Sequence, residues 1–155
     1  LLKKERPERT IRVVLFGNEE GGLIGARAYA ARHAANLKNH VFASESDFGA
    51  GRVWRFDTGF GEQALAFGTG IQQKLKHLGI EEGSNTASGG PDVSVLKALG
   101  VPVATLQQDG TDYFDYHHTP NDTLDKIDPA ALQQNLQAWL IMTRIIANSK
   151  TDLRQ

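Results

Sequence analysis

The first sustained apolar run of the chain is Ile11-Arg12-Val13-Val14-Leu15-Phe16, dominated by β-branched and aromatic residues. Such a run predicts a largely buried β-strand. Gly17 and Asn18 break it, and the small residues that follow predict a helix over roughly 21–37. A second strand begins at Val41-Phe42-Ala43-Ser44 and ends near Asp47. Arg52-Val53-Trp54-Arg55-Phe56 allows a short extended segment. From about Gln63 to Leu78 the spacing is helical, with Leu65, Ile71, Leu75 and Leu78 near one face and Gly79 as its stop. The polar stretch Glu81–Gly90 reads as a loop, Asp92–Leu99 as a short helix ended by Gly100, and Val101–Leu106 as a third strand with Pro102 tolerated near its start. Asp128-Pro129 opens the last helix, Asp as N-cap and Pro at the first position. Leu132, Leu136, Leu140 and Ile146, with Trp139 and Thr143 nearby, predict its apolar face. Strands alternating with helices predict an α/β layered fold with a mostly parallel sheet.

Between the third strand and the last helix lies a segment of about 20 residues, Gln107 to Lys126, longer than most connections. Tyr113, Phe114, Tyr116, His117 and His118 make it aromatic, which argues for order and function rather than disorder.

Composition narrows the classes. The 155 residues suffice for one domain with a core, and 40% hydrophobic with 23% charged residues is ordinary for a globular protein. A net charge of −1 argues against a general nucleic-acid binder. No apolar stretch approaches the ~20 residues of a membrane span. The absence of cysteine excludes disulfides and thiolate metal ligands. Neither a phosphate-binding glycine loop nor a GxSxG elbow is present. At the N-terminus, Leu1-Leu2-Lys3-Lys4 reads as the last turn of a helix. It leads through a polar segment with Pro7 into the first strand, so the chain is expected to start inside a larger fold.

Three places follow predicted strands and carry metal-ligating side chains: Glu19-Glu20, Glu45-Ser46-Asp47, and His117-His118 in the long loop. Ligands of open α/β sheets bind at the carboxyl ends of strands. Adjacent carboxylates repel unless a positive charge sits beside them. Carboxylates with imidazole suit zinc and related divalent ions. Each element also has an ordinary reading: a solvated helix start, a turn, a surface histidine pair. His33, His40 and His77 have no acidic partner pattern and read as structural or exposed.

In combination the segments resemble the M28 family of metallopeptidases. The chain's Arg12–Ala26 stretch is similar to the family's Glu-Glu segment. Glu45-Ser46-Asp47 resembles its next ligand segment, and Tyr116-His117-His118-Thr119-Pro120-Asn121-Asp122-Thr123 its last. The wording is closest to the carboxypeptidase Q-like branch, and the likeness covers about Arg9 to Ile146. It implies a zinc exopeptidase-like, three-layer α/β/α fold, with residues 1–155 as the C-terminal portion of one catalytic domain. Position by position it implies Glu19 as the general base that activates the attacking water, Glu20 and His118 as ligands of one zinc, and Asp47 as ligand of the other. Asp92, Tyr113, Tyr116 and His117 would line the substrate pocket, and Asp122 would orient His118. A tyrosine or backbone donor could also stabilise the oxyanion.

The family also carries a His-x-Asp segment upstream of the Glu-Glu strand, and this chain has none. The resemblance therefore implies two zinc ions about 3.5–4 Å apart in the complete protein, with an incomplete ligand set here, so this chain alone is expected to be inactive. The implied partner is a short peptide with a free terminus, with no nucleic acid and no membrane span; a homodimer stays open. The family setting implies secretion or a periplasmic location, although no signal is visible. Two alternatives remain: a single-zinc glutaminyl cyclase-like enzyme, and a non-catalytic binding domain on the same fold.

Overall fold

A computed structural model of the protein describes residues 6–155, and the expected helix end at Leu1–Lys4 lies outside the described residues. In chain order the elements are helix α1 (Ile24–Arg32), strand β1 (Val53–Gly59), helix α2 (Leu65–Leu75), strand β2 (Glu81–Glu82), helix α3 (Pro91–Ala98), strand β3 (Val103–Gln108), the single turn α4 (Tyr113–Tyr116) and the long helix α5 (Pro129–Ala147). Short 3-10 turns at Ala34–Asn39, Glu62–Ala64, Lys76–Leu78 and Leu124–Lys126 link them. The sheet order is β2-β1-β3. β1 pairs parallel to β2 through Arg55↔Glu81 and antiparallel to β3 from Val53↔Gln108 to Gly59↔Val103, so the sheet is mixed.

Helices cover both faces, giving the expected α/β architecture. α2 and α5 pack together on one face, α1 and α3 on the other. β3 alternates between them. Ala104 and Leu106 point into a large cluster with Phe56, Ile71, Leu75, Ala138 and Met142, whereas Val103 packs against Ala87 and Val93. A third cluster, Ala30, Leu37, Leu96 and Val101, joins α1 to α3.

The central strand β1 was the least conspicuous in sequence. A bulge between Val53 and Arg55 explains part of this. The extra residue changes the alternation, so Val53 and Phe56 both enter the large cluster although three positions apart. Polar Asp57 is buried in the same strand. It accepts from the Ser84 amide (2.8 Å), Gln107 Nε2 (3.0 Å) and Arg55 Nε (3.1 Å), which offsets the cost of burying a charge.

Three expectations are corrected. Residues 11–16 form no ladder among the described residues, and Val13 and Leu15 are 85% and 94% exposed. Apolar alternation creates a preference, but a strand exists only where a neighbour takes up its hydrogen bonds. The segment is tethered at its ends instead. Arg9 N donates to Ala147 O (3.0 Å), and Gly25 N to Gly17 O (3.0 Å). The stretch expected as the second strand pairs at one point, a parallel bridge between Ala43 and Val103, held by Ser44 Oγ donating to Ala104 O (2.7 Å). In α5, Leu132 and Leu136 are about half exposed, as is Leu65 at the start of α2, while Gln134 and Asn135 are buried. The reason is the bulge. Gln134 Oε1 accepts from Val53 N (2.9 Å) and its Nε2 donates to Val53 O (2.7 Å) and Leu78 O (3.2 Å), so one side-chain amide serves backbone that the sheet leaves open.

Candidate metal centre

Glu19 and Glu20 sit in the turn that launches α1. Glu19 O accepts from Gly22 N (2.9 Å) and Leu23 N (2.8 Å). The turn is strained: Asn18 (φ 58°) and Leu23 (φ 59°) adopt the left-handed conformation, and His118 (φ 59°) is the third non-glycine residue to do so among those described. All three lie at the candidate site, and strain of this kind persists only where the surrounding structure over-determines it.

The turn and the long loop meet directly. His118 Nε2 lies 2.8 Å from Glu20 Oε1, both side chains being exposed. Donor atoms of Glu20, His117 and His118 all lie within 4.8 Å of one another, a set of carboxylate and imidazole groups that could hold a metal ion. The two imidazoles are stacked, however, with centroids 3.7 Å apart and planes inclined by 23°. A zinc ion lies in the plane of each ligating ring at ~2.1 Å from its nitrogen. Two nearly parallel planes at that spacing do not meet so close to the rings, so one histidine at a time can ligate a given ion.

Asp47 stands outside this three-residue set. It follows a segment anchored by Glu45, whose Oε2 accepts from Val93 N (2.9 Å) at the start of α3. Asp92, in the first turn of α3, is 3% exposed, and its Oδ1 has no hydrogen-bond partner. Burial is the main reason its pKa is raised. The Asp47 charge adds to this and the Ala26 amide opposes it. Glu19 is raised first by partial burial, then by the charges of Glu20, Asp47 and Asp92, with His118 acting the other way. Glu45 is raised by burial and by Asp92 and Asp47, offset by the amides it caps. Glu19, Glu45 and Asp92 are thus shifted toward the neutral form by burial and by neighbouring negative charge, and the buried Asp92 Oδ1 lacks a hydrogen-bond partner. A divalent cation bound nearby would relieve the repulsion among these charges, and oxygen with imidazole donors suits zinc.

Of the other residues expected at the site, Tyr113 stacks on His117 at 4.6 Å. Its hydroxyl pKa is raised by burial, then by Asp47, Glu20, Asp122 and Glu19. Tyr116 holds the turn through its carbonyl, which accepts from Thr119 N (2.9 Å) and Thr119 Oγ1 (2.7 Å). Asp122 donates its amide to Thr119 O (3.1 Å), and the partner found at His118 Nε2 is Glu20. His33 and His40 join Tyr29, whose hydroxyl meets His40 Nε2 at 2.8 Å. Two contributors were not singled out from sequence: Glu45 as the cap of α3, and Phe48, whose ring stacks on Tyr113 at 4.1 Å. The signal for Phe48 was available, as an aromatic residue directly after a candidate ligand at a strand end.

Fold and site together define an α/β chain in which the turn before α1 and the loop after β3 bring carboxylate and imidazole donors together in a set that could hold a metal ion. The model of Peptidase family M28 matches residues 1–143, and the chain belongs to that family. It is 31% identical to carboxypeptidase Q of Rattus norvegicus, 32% to that of Xenopus laevis and 31% to that of Homo sapiens, in each case over 143 residues. These matches cover 92% of this chain and 30% of each relative. The crystal structure of a Peptidase M28 precursor from Shewanella amazonensis SB2B superposes with a TM-score of 0.94 at 54% identity, over 97% of this chain and 34% of that one. The chain thus spans about a third of the length of the proteins it matches. Among the described residues no helix is long and apolar enough to cross a membrane.

Proposed function

We propose that the protein to which this chain belongs is a zinc-dependent exopeptidase that hydrolyses a peptide bond next to a free chain terminus. The observation that carries this reading is the 2.8 Å contact between Glu20 and His118, which joins two segments far apart in sequence beside the half-buried Glu19. In this reading Glu20 and His118 hold one zinc and Asp47 helps hold a second. Bound zinc supplies Lewis-acid polarisation of the scissile carbonyl and makes water acidic enough to deprotonate near neutral pH. Glu19 accepts the proton of the attacking water and delivers it to the departing amine. Its raised pKa suits a group that must both take and give a proton. Tyr113, Tyr116, His117 and Asp92 wall the peptide's path.

This chain contributes two ligands to one zinc and one to the other, short of four-coordinate zinc. Residues 1–155 alone are therefore expected to lack activity, and the proposal concerns the full-length protein, in the secreted or periplasmic setting that the family resemblance implies. In that protein Glu19→Gln is expected to lower kcat by ~10²–10⁴-fold, the usual share of a general base, with zinc content unchanged. Wild-type turnover in the variant would remove Glu19 from this role. One observation favours a second reading: Asp47 stands outside the donor set, as a single-zinc, glutaminyl cyclase-like site would have it. One zinc per chain in the full-length protein, with cyclisation of an N-terminal glutamine, would select that alternative.

A further inference from the structure

Four rings form a continuous stack from the residue after Asp47 to His118. Phe48, the residue after Asp47, lies on Tyr113 (4.1 Å, 18°). Tyr113 lies on His117 (4.6 Å, 27°), and His117 on His118 (3.7 Å, 23°). We propose that this stack is a spacer that sets the separation between Asp47 and the Glu20–His118 pair, making Phe48 and Tyr113 positioning residues of the metal centre.

A glycine on the later loop makes the stack possible. A Cβ on Gly110 would overlap the Phe48 ring, whereas one on Gly49 would only touch Tyr113, at 3.5 Å from its Cδ2. The Phe48 ring thus lies over a glycine of the opposite loop. The zipper starts at the sheet. Val53 is in register with Gln108, Asp109 N donates to Arg52 O (2.7 Å), and Gln108 Nε2 donates to Gly49 O (2.6 Å). The two loops are therefore locked in register before the rings begin. A side chain that only filled space would need neither the glycine opposite nor near-parallel planes. Phe114 closes the edge of the stack against Phe48, Tyr113 and His117. The raised pKa of Tyr113, after its burial, reflects charges on both ligand segments, Asp47 and Glu20, consistent with a ring lying between them.

The inference rests on the two-zinc reading, and its test separates the two. Zinc stoichiometry by elemental analysis and affinity by chelator competition would be measured on the full-length protein. The set is wild type, Phe48→Leu, Gly110→Ala and the double variant, with far-UV circular dichroism as the check on folding. Phe48→Leu keeps an apolar side chain over Gly110, so it is expected to fold. It should weaken one zinc of the two by ~10-fold or more, the scale of groups that orient ligands, while the other stays within about twofold. Gly110→Ala should do the same with Phe48 present and add little in the Phe48→Leu background, where the more flexible side chain yields, giving a coupled cycle. The spacer is overturned if Phe48→Leu retains both zinc affinities within twofold, or if the two substitutions simply add. A wild-type protein that binds fewer than two zinc ions overturns the two-zinc reading and the spacer with it. Two zinc ions in wild type, with both affinities in Phe48→Leu within twofold of wild type, overturn the spacer only.

Discussion

The two faces of the sheet are built differently. Toward α2 and α5 lies one contiguous cluster with the large buried side chains Phe56, Ile71, Leu75 and Met142. Toward α1 and α3 there are two small clusters, made mostly of alanine, valine and leucine. The orphaned Asp92 oxygen belongs to that second face, in α3. The left-handed Asn18 and Leu23 lie at the start of α1, and His118 closes the contact with Glu20. The difference teaches a division of labour. A well-packed face supplies stability, and that surplus lets the other face retain strain, mutually repelling carboxylates and exposed donors. Burial of large apolar side chains is the chief source of folding free energy, whereas a site must leave charge unneutralised to bind a cation.

The sharpest way to break this comparison is Phe56→Ala. Phe56 is fully buried in the large cluster, and its truncation should cost ~3–5 kcal/mol in denaturant unfolding. Zinc affinity of the folded protein should be unchanged, and a loss of zinc from folded protein would show that the faces are not separable. Next comes Gln134→Ala, which removes the partner of both Val53 N and Val53 O. Leaving two buried backbone groups unsatisfied should destabilise by ~2–4 kcal/mol, again without touching the site. On the other face, His118→Ala should weaken zinc binding by ~10–100-fold, or about 1.4–2.8 kcal/mol. His117→Ala should weaken it less, because His118 carries the Glu20 contact; equal or reversed losses would exchange their roles.

The smallest effect is expected from pH. Burial alone would raise the Asp57 pKa, but the Ser84 amide, Gln107 and Arg55 hold it below the usual value of 3.8. A depressed folded-state pKa contributes stability above the unfolded value. That contribution is lost as pH falls through the folded one. Unfolding free energy should therefore show no Asp57 contribution to its slope from neutral pH to about pH 4 and then decline. Asp57→Asn should lower the plateau and flatten the decline, and an unchanged acid arm would remove Asp57 from the account.

Features read correctly from sequence are those written in neighbouring residues. Asp128 caps α5 by accepting from Ala130 N (2.9 Å), with Pro129 beside it. Gly79 (φ 76°) ends the turn after α2, and Gly100 (φ 85°) follows α3. The Glu20 and His117-His118 segments, proposed from residue type alone, do come together in the fold, their donor atoms lying within 4.8 Å of one another. What the sequence did not disclose depends on partners far along the chain. β1 is central because β2 and β3 pair with its two edges, and Gln134, 81 residues away, serves the backbone of Val53 at its bulge, with Leu132 and Leu136 left about half exposed. Residues 11–16 have the composition of a strand, but among the described residues no neighbour pairs with them. The Phe48 ring reaches Tyr113 only because Gly110, far along the chain, leaves room for it. Local sequence decides capping, turns and which side chains can bind a metal, since those interactions close within a few bonds of backbone. Only the tertiary structure decides which strands pair, which helix faces are covered and which ligands meet, because these depend on distances between segments that no short stretch of sequence contains.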